Sequence, residues 1–325
     1  MKNRLLYIIV CLYCFAPLQA QQQSLYSQYM MNGFLFNPAV AGSDGYTTLN
    51  LTAREQWIGF ENAPKTRSIS IQGRLNKSKY KIKSGRDGKR SFNQGRSGRV
   101  GLGGIIYNDK NGLIDKTGMQ GTYAYHIFIN NSQLSFGISG SVFQFKINEE
   151  GLQFKDPDDP LNVSDLKKPV YVPDAGAGIY YANSKYYVGA SVSQLFQSPL
   201  KIGNRVLDDF KMYRHYYFIG GYNFPVMENL DMEPSILFQY TDQLITQTDI
   251  SLKFYYNDSY WFGSSFRTSG AVILLGGIRL DKFYLGYSFD YTFSNIRKHS
   301  YGSHEIMLFL KMGDNVRRYR WLRRY

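Results

Sequence analysis

The chain has 325 residues, a formal net charge of +13, 43% hydrophobic residues and 16% aromatic residues. After the first twenty residues, no stretch approaches the roughly 20 apolar residues that a transmembrane helix needs, which excludes a helical membrane protein. An excess of basic over acidic residues often indicates nucleic-acid binding. We expect no nucleic-acid partner here, because the N-terminus is typical of an exported protein.

The first twenty residues, 1–20, are the predicted signal peptide. Lys2 and Arg4 precede an apolar run, and small residues lead to a cleavage site after Ala20. A positive start, an apolar core and small residues at the cut are the three parts of a secretory signal. Both cysteines of the chain lie inside this segment, so we expect no disulfide in the mature protein.

The next segment, residues 21–44, is predicted to be a periplasmic, plug-like element. The residues at helical spacing are Tyr26, Tyr29, Met30 and Gly33. Asn37-Pro38 then favours an extended turn. Because the strands that follow predict a barrel, we expect a short apolar helix that packs into its lumen. A flexible leader is the alternative, but it does not explain the run of aromatic residues and methionines.

Residues 45–311 alternate between apolar and polar side chains. From Lys282 to Phe293, for example, Leu285 and Phe289 share one face while Ser288 and Asp290 share the other. Long alternating strands joined by tight turns are typical of a transmembrane barrel, whereas strands of soluble sandwiches are usually shorter. The sequence therefore predicts an all-β fold, an antiparallel up-and-down transmembrane β-barrel of about fourteen strands near 45–55, 66–75, 98–107, 115–129, 132–146, 173–183, 185–196, 214–224, 230–241, 245–256, 259–267, 270–280, 282–293 and 301–311.

Short and long links alternate along this barrel. The tight links are at Asn130-Asn131, Asn183-Ser184, Asn257-Asp258 and Asp281, and the longer ones at 56–65, 108–114, 147–172, 197–213 and 294–300. Outer-membrane barrels have short periplasmic turns and longer outer loops, so even-numbered links should face the periplasm and odd-numbered ones the exterior. The basic link 76–97 is the exception, and its composition predicts no regular structure.

Aromatic residues cluster where the predicted strands end, and we interpret them as girdles at the two membrane interfaces. The predicted periplasmic girdle contains Tyr125, Tyr181, Tyr186, Phe224, Tyr256, Tyr260 and Phe283, and the outer one contains Tyr107, Phe196, Tyr216, Tyr240, Phe293 and Tyr301. Aromatic residues are also good strand formers, so composition alone leaves the simpler alternative open.

No catalytic, cofactor-binding or metal site is predicted. The chain lacks a nucleophile elbow, a phosphate loop and zinc-ligand spacing, and its four histidines are scattered. The acidic stretch 155–160 could supply oxygen ligands to calcium, but it lacks the spacing of an EF-hand, which favours a solvated loop. We therefore expect neither enzyme activity nor a cofactor.

Residues 312–325 form a predicted basic periplasmic tail, because an even number of strands returns the C-terminus to the periplasm. Its candidate partner-binding residues are Arg317, Arg318, Arg320, Trp321, Arg323 and Arg324. Arginines interleaved with aromatic rings suit the membrane interface or an acidic periplasmic partner. A solvated tail is the alternative.

Three segments carry a family resemblance. The first, Tyr29 to Gly42, includes Asn37, Pro38 and Ala39; the second, Arg54 to Phe60, includes Trp57 and is followed by Pro64; the third is Gly302 to Ile306. Together they resemble the PorP/SprF family of the type IX secretion system, over the whole mature chain. The basic link 76–97 and the arginine-rich tail look like local additions.

The resemblance implies an outer-membrane barrel without catalytic residues, in contact with outer-membrane lipid. Members of the family are commonly paired with a large surface adhesin that carries a type IX C-terminal domain. The leading hypothesis is therefore a non-enzymatic component that assists secretion or cell-surface retention of an adhesin-like client, with periplasmic components of the secretion machine as further partners.

Two rival hypotheses remain at this point. A small-solute diffusion porin needs an open lumen, and bulky predicted inward residues such as Phe143, Tyr180 and Ile273 disfavour a wide one. A secreted, soluble carbohydrate-binding β-protein would differ from both in not fractionating with the outer membrane.

Overall fold

The computed structural model describes residues 26–75, 82–84, 90–92, 99–147, 169–202 and 205–313. Within them, fourteen long strands build one barrel wall. We name them in chain order: Thr47–Glu55 (β1), Lys65–Leu75 (β2), Val100–Asn111 (β3), Ile114–Ile129 (β4), Ser132–Ile147 (β5), Val170–Asn183 (β6), Tyr186–Ser193 (β7), His215–Tyr222 (β8), Leu230–Thr241 (β9), Thr246–Tyr256 (β10), Tyr260–Arg267 (β11), Ala271–Leu280 (β12), Phe283–Thr292 (β13) and Ser303–Met312 (β14).

The wall is closed and every pairing in it is antiparallel. Each strand pairs with its neighbours in sequence, and β14 pairs with β1 so that Glu305 lies opposite Arg54. On the far side β8 pairs with β9, where His215 lies opposite Thr241. Closure leaves no unpaired sheet edge. The predicted up-and-down barrel of fourteen strands is confirmed.

The alternation in the sequence becomes the inside and the outside of the barrel. On β13, Ser288 and Asp290 are buried, whereas Phe283 and Leu285 are about half exposed. The wall thus has a polar inner face and an apolar outer face, as expected where lipid is the outer solvent. The predicted outward positions of Leu252 and Leu285 are confirmed by their exposure.

The outward face of β12 offers a matched test of lipid contact. Leu274, near the middle of the strand, and Leu280, at its end, are 57% and 60% exposed on the same face. An arginine costs about 2–4 kcal/mol at the bilayer midplane and about 0–1 kcal/mol near an interface. We expect Leu274→Arg to lower the free energy of unfolding in lipid vesicles by the larger amount and Leu280→Arg by the smaller. Equal losses would contradict a bilayer centred on this strand.

The predicted link lengths agree with the structure at two tight turns and differ at the link 108–114. The turns 130–131 and 281–282 are tight, with positive φ at Asn130 (49°) and Asp281 (54°), as narrow hairpins require. The predicted long link 108–114 is wrong, because β3 and β4 continue until only Gly112 and Leu113 connect them. Polar cross-strand pairs such as Asp109 opposite Lys116 extend this hairpin, and an apolar pattern does not reveal such an extension.

Short hairpins also occur outside the barrel wall. Within the basic link, Ile82–Ser84 pairs with Arg90–Phe92, where we had predicted no regular structure. Within the link between β7 and β8, Pro199–Ile202 pairs with Arg205–Lys211. A further short strand, Phe224–Met227, pairs with the start of β9.

The helical content of the described residues consists of single 3-10 turns at Gly33–Leu35, Pro38–Val40 and Asn295–His299. None of the described helices has the length and apolarity needed to cross a membrane. The predicted short helix over Tyr26 to Gly33 is wrong. Isolated turns occur instead, with the Met31 N–H donating to the Gln28 carbonyl and a 3-10 turn at Gly33–Leu35. The side chains of Ser27, Tyr29 and Asn32 bond to different sides of the wall, which one amphipathic helix face does not allow.

The predicted aromatic girdles lie on the outer face with one exception. Tyr186, Tyr256, Tyr260 and Phe283 are exposed near one rim, and Phe196, Phe293 and Tyr301 near the other. The prediction is wrong for Tyr107, which faces the lumen and packs beside the cluster around Phe34. Gly118, its inward neighbour on β4, leaves the room that this ring occupies.

Candidate functional site

Residues 26–46, which we call the lumenal segment, lie inside the barrel. Tyr29 and Ala39 are 0% exposed, and Phe34 and Asn37 are 1% exposed. Side-chain hydrogen bonds join the segment to β1, β2, β4, β6, β7, β9, β10, β13 and β14. The segment is therefore held from all sides of the wall. Closure of the lumen to solutes, which the word plug implies, stays a prediction.

Asn37 explains the Asn-Pro-Ala sequence of this segment. Its Nδ2 donates to the carbonyls of Ile179 at 2.9 Å and Ala190 at 3.3 Å, on β6 and β7. Its Oδ1 accepts from the Ala39 N–H at 2.9 Å and caps the turn that Pro38 begins. Proline suits the first position of a turn because its missing N–H would have no partner there. One asparagine thus sets both the local turn and its place against the wall.

Inward glycines provide space for the segment. A Cβ at Gly137 would overlap the backbone of Pro38 and Ala39, and one at Gly103 would overlap the Phe34 ring. These two positions on β5 and β3 have the inward direction of the polar face. Since no side chain fits there beside the segment, glycine is required by the segment rather than by the strand.

Gly42 directs the chain from the lumen towards β1. Its φ is +68°, and a Cβ would lie 2.8 Å from the Gly73 carbonyl oxygen. The Gly42 N–H donates to Gln72 Oε1 at 3.1 Å, while Arg74 Nε donates to the Gly42 carbonyl at 3.0 Å. Both the positive φ and the close approach require glycine at this position.

Tyr29 anchors the middle of the segment. Its hydroxyl lies 3.1 Å from Ser235 Oγ and donates to Ser251 Oγ at 3.0 Å, on β9 and β10. Burial raises the pKa of the Tyr29 phenol to about 12, so it stays protonated at neutral pH. A buried tyrosine that retains its hydrogen-bond partners combines a large apolar contact with a defined orientation.

A network of five buried charged residues, the lumenal charge network, lines one side of the lumen: Arg54, Asp249, Arg267, Asp290 and Glu305. Arg54 Nη2 donates to Asp290 Oδ2 at 2.7 Å, and Arg54 Nη1 lies 3.4 Å from Glu305 Oε2. Arg267 binds Asp249 at 2.8 Å and Asp290 at 3.3 Å. Asp290 thus joins both arginines, and buried charges need such pairing to be tolerated.

The lumenal segment completes this network. Two arginines face three carboxylates, which leaves a surplus negative charge, and backbone donors of the segment meet it. The Ser27 N–H donates to Glu305 Oε2 at 2.7 Å and the Gln28 N–H to Glu305 Oε1 at 3.1 Å. Ser27 Oγ lies 2.8 Å from Asp290 and accepts from Arg54 at 2.6 Å. We call these bonds the Ser27 latch.

A second buried ion pair lies further along the lumen. Lys253 Nζ is 3.6 Å from Glu233 Oε2, and both side chains are almost fully buried. Tyr187 and Tyr255 donate their hydroxyls to the two Glu233 oxygens at 2.9 and 3.1 Å. Lys253 also contacts Met31 Sδ at 3.4 Å, so the lumenal segment covers this pair too.

Two of the predicted family-motif residues lie outside the lumenal segment. Trp57 and Pro64 are in the link between β1 and β2, whereas Tyr29, Asn37, Pro38, Ala39 and Gly42 are in the lumenal segment. The Trp57 N–H donates to Ser303 Oγ at 3.1 Å, and Ile58 and Gly302 pair through their backbones at 2.9 Å. The second and third resemblance segments therefore meet, at the rim and again through Arg54 and Glu305.

The sequence analysis did not identify the lumenal charge network as a site. The signal was present, because each of its charges occupies an inward position of an alternating strand. No group of three or more histidine, cysteine, aspartate or glutamate side chains among the described residues is arranged to hold a metal ion. The predicted signal peptide and the tail arginines, Arg317 to Arg324, lie outside the described residues.

Comparison with known proteins identifies one family. The model of the type IX secretion system membrane protein PorP/SprF matches residues 18–310. A search of curated protein sequences gives no significant match. Similar solved structures include the toluene transporter TbuX of Ralstonia pickettii, with 10% identity, a TM-score of 0.49 and coverage of 86% of this chain and 93% of that one. Another is the outer membrane protein Omp33 of Acinetobacter baumannii, with 7% identity, a TM-score of 0.44 and coverage of 83% and 100%. Because the family model covers most of the chain, this protein belongs to the PorP/SprF family of type IX secretion system membrane proteins.

Proposed function

We propose that this outer-membrane barrel assists, without catalysis, the secretion or the cell-surface retention of an adhesin-like client protein. The client would carry a type IX C-terminal domain, and periplasmic components of the secretion machine would be further partners. Family membership supports a role in type IX secretion. The adhesin-like nature of the client, and its secretion or cell-surface retention, are part of the proposal.

Burial of the lumenal segment inside the barrel is the observation that favours this proposal over a diffusion porin. A porin needs a continuous aqueous path. Here Phe34, Tyr29 and Ala39 of the lumenal segment are buried between opposite walls, and inward Ile273 is 0% exposed. A barrel that occupies its lumen with its own chain is suited to presenting a surface to another protein, rather than to passing solutes.

The proposed client surface is the rim that carries the odd-numbered links, which we place at the cell exterior. At this rim the link after β1 pairs with the residues before β14. It exposes large apolar side chains: Phe60 is 48%, Leu244 76% and Tyr301 80% exposed. Exposed aromatic residues held on a paired backbone are typical of binding surfaces.

A matched pair of cysteine variants tests this orientation. Ser184, in the turn between β6 and β7, and Ser294, in the link between β13 and β14, are both exposed. We expect Ser294→Cys to react with a membrane-impermeant maleimide on intact cells and Ser184→Cys to react only after lysis. The mature chain lacks other cysteines if the signal peptide is removed as predicted. Labelling of Ser184→Cys on intact cells would reverse the topology.

The function itself is tested by two measurements, one on cells that lack the gene and one on the purified protein. We expect loss of the chain to remove the client from the surface of intact cells, while other outer-membrane proteins remain. The purified wild-type barrel should give no steady single-channel conductance in planar bilayers. Unchanged surface display together with a large, steady conductance would replace this proposal with the porin.

The predicted role of the tail has its own test. Removing residues 315–325 should leave insertion of the barrel unchanged and reduce the amount of client at the surface if the tail docks on a periplasmic partner. Full client display would show that the tail is dispensable. If display falls, lysine substitutions separate membrane attraction, which needs mainly charge, from bidentate carboxylate recognition, which needs arginine.

A further inference from the structure

An arginine, Arg67, lies on the outward face of β2. Arg67 is exposed, and it stands between Thr66 and Ser68, which are buried and point inward. Its cross-strand neighbours are Ala53 on β1 and Asn108 on β3. In the part of the chain that the structure describes, the guanidinium makes no hydrogen bond or ion pair. A cation on this face is unfavourable unless an anion reaches it from the membrane.

An apolar groove of about 380 Å³ begins beside Arg67 on the outside of the wall. Its apolar lining includes Leu51, Ile69, Ile106, Ile306 and Leu308, with Asn108 and Thr117 at the polar end. Ile69, Ile106 and Ile306 are between 50% and 59% exposed, so the groove opens towards lipid. Its shape and chemistry fit an acyl chain that lies below a polar headgroup.

The rim above the groove carries a surplus of positive charge. The odd-numbered links join β1 to β5 at this rim. The outward positions near these strand ends carry four cations and two carboxylates: Lys65, Arg67, Lys110, Lys146, Glu55 and Asp115. Lys65 is paired with Glu55 at 3.3 Å. Asp115 accepts from Asn108 at 2.7 Å and lies opposite both Lys110 and Lys146. Arg67 therefore remains the cation closest to the groove without a carboxylate beside it.

We propose that Arg67 and this groove bind a phosphorylated glycolipid of the lipid A type from the outer leaflet. The guanidinium would donate to a phosphate, as arginine does in bidentate fashion, with Lys110 close to the same headgroup and an acyl chain in the groove. The phosphates of such a lipid match the positive surplus of this rim, and its acyl chains match the apolar lining of the groove. The choice of the outer leaflet rests on the orientation proposed above, which cysteine labelling tests separately.

The experiment is native mass spectrometry of the purified, full-length barrel with three lipids: bis-phosphorylated lipid A, dephosphorylated lipid A and phosphatidylglycerol. Arg67→Gln should weaken binding of bis-phosphorylated lipid A by about tenfold or more, and Arg67→Lys should weaken it less. Arg297→Gln is the control, since Arg297 is exposed on the same rim but lies outside the groove. That control should stay within about twofold of wild type. Heat-modifiable migration confirms that each variant is folded.

Several outcomes would overturn the assignment. Equal binding of bis-phosphorylated lipid A by wild type and Arg67→Gln would remove the role of the guanidinium. Equal binding of phosphorylated and dephosphorylated lipid A would remove the role of the phosphate. Phosphatidylglycerol that binds as tightly as lipid A would show a general phosphate site, and the glycolipid would no longer be its specific ligand.

Discussion

Asp290→Ala is expected to lower the free energy of unfolding by about 3–5 kcal/mol, the usual cost of removing one partner from a buried ion pair. Asp290 is 1% exposed and binds Arg54 at 2.7 Å, Arg267 at 3.3 Å and Ser27 Oγ at 2.8 Å. Loss of the Asp290 carboxylate leaves the buried guanidinium groups of Arg54 and Arg267 with fewer anionic partners. Few other single substitutions in the described lumen would disturb as many charges at once.

Denaturant unfolding of the refolded barrel in vesicles, followed by heat-modifiable migration, measures this effect. Glu228→Ala is the control, because Glu228 is exposed and makes no described hydrogen bond or ion pair. It should change stability by no more than about 0.5 kcal/mol. A loss for Asp290→Ala as small as that of the control would mean that the lumenal charge network contributes little to stability.

The Ser27 latch adds a second part to this test. Ser27→Ala removes a hydroxyl that bonds to Asp290 and Arg54 but leaves the backbone donors to Glu305. A double-mutant cycle with Asp290→Ala isolates the coupling between segment and wall. We expect a coupling of about 1.5–3 kcal/mol, the range for hydrogen bonds to charged groups. Additive effects would show that the Ser27 hydroxyl does not couple the segment to Asp290.

Gly137→Leu is expected to expel the lumenal segment and to give the barrel a steady single-channel conductance, which we do not expect of wild type. A side chain at Gly137 points inward and overlaps the backbone of Pro38 and Ala39. The strand ladder of β5 does not depend on this glycine, so the wall can remain closed. Displacing Pro38 and Ala39 also removes Asn37 from its two carbonyl acceptors on β6 and β7.

Gly140→Leu is the matched control on the same strand. Gly140 faces outward, and a Cβ there meets nothing within 4 Å. This variant should conduct no more than wild type. If Gly137→Leu fails to assemble, Gly103→Leu repeats the test at a second inward position, where the added side chain overlaps Phe34. A folded Gly137→Leu or Gly103→Leu barrel without conductance would contradict the view that this segment closes the lumen.

Asp290 and the Ser27 latch hold one end of the segment, while the glycines of β3 and β5 accommodate its middle. A client that engages the odd-link rim would contact the link holding Trp57, whose N–H is bonded to Ser303 beside this network.

The sequence by itself determined the architecture of this protein. Alternation with a period of two is a local property, so it assigned strand positions, the even strand number and the two faces without any knowledge of long-range contacts. Leu285 outward and Ser288 inward follow from that period alone. The family resemblance also identified Tyr29, Asn37, Pro38 and Ala39 as motif residues from the sequence alone.

Only the tertiary structure decided what the inward residues contact. Arg54 and Asp290 are 236 positions apart, and barrel closure through β1 and β14 places them 2.7 Å from each other. The expected helix at Tyr26 to Gly33 is replaced by an irregular path, because the side chains of Ser27, Tyr29 and Asn32 bond to different sides of the wall. Tyr107 has the inward direction of Ile105 on the same strand, and only the structure shows that Gly118 on the next strand leaves room for its ring. Such contacts depend on how the wall closes around the segment, and no local pattern carries that information.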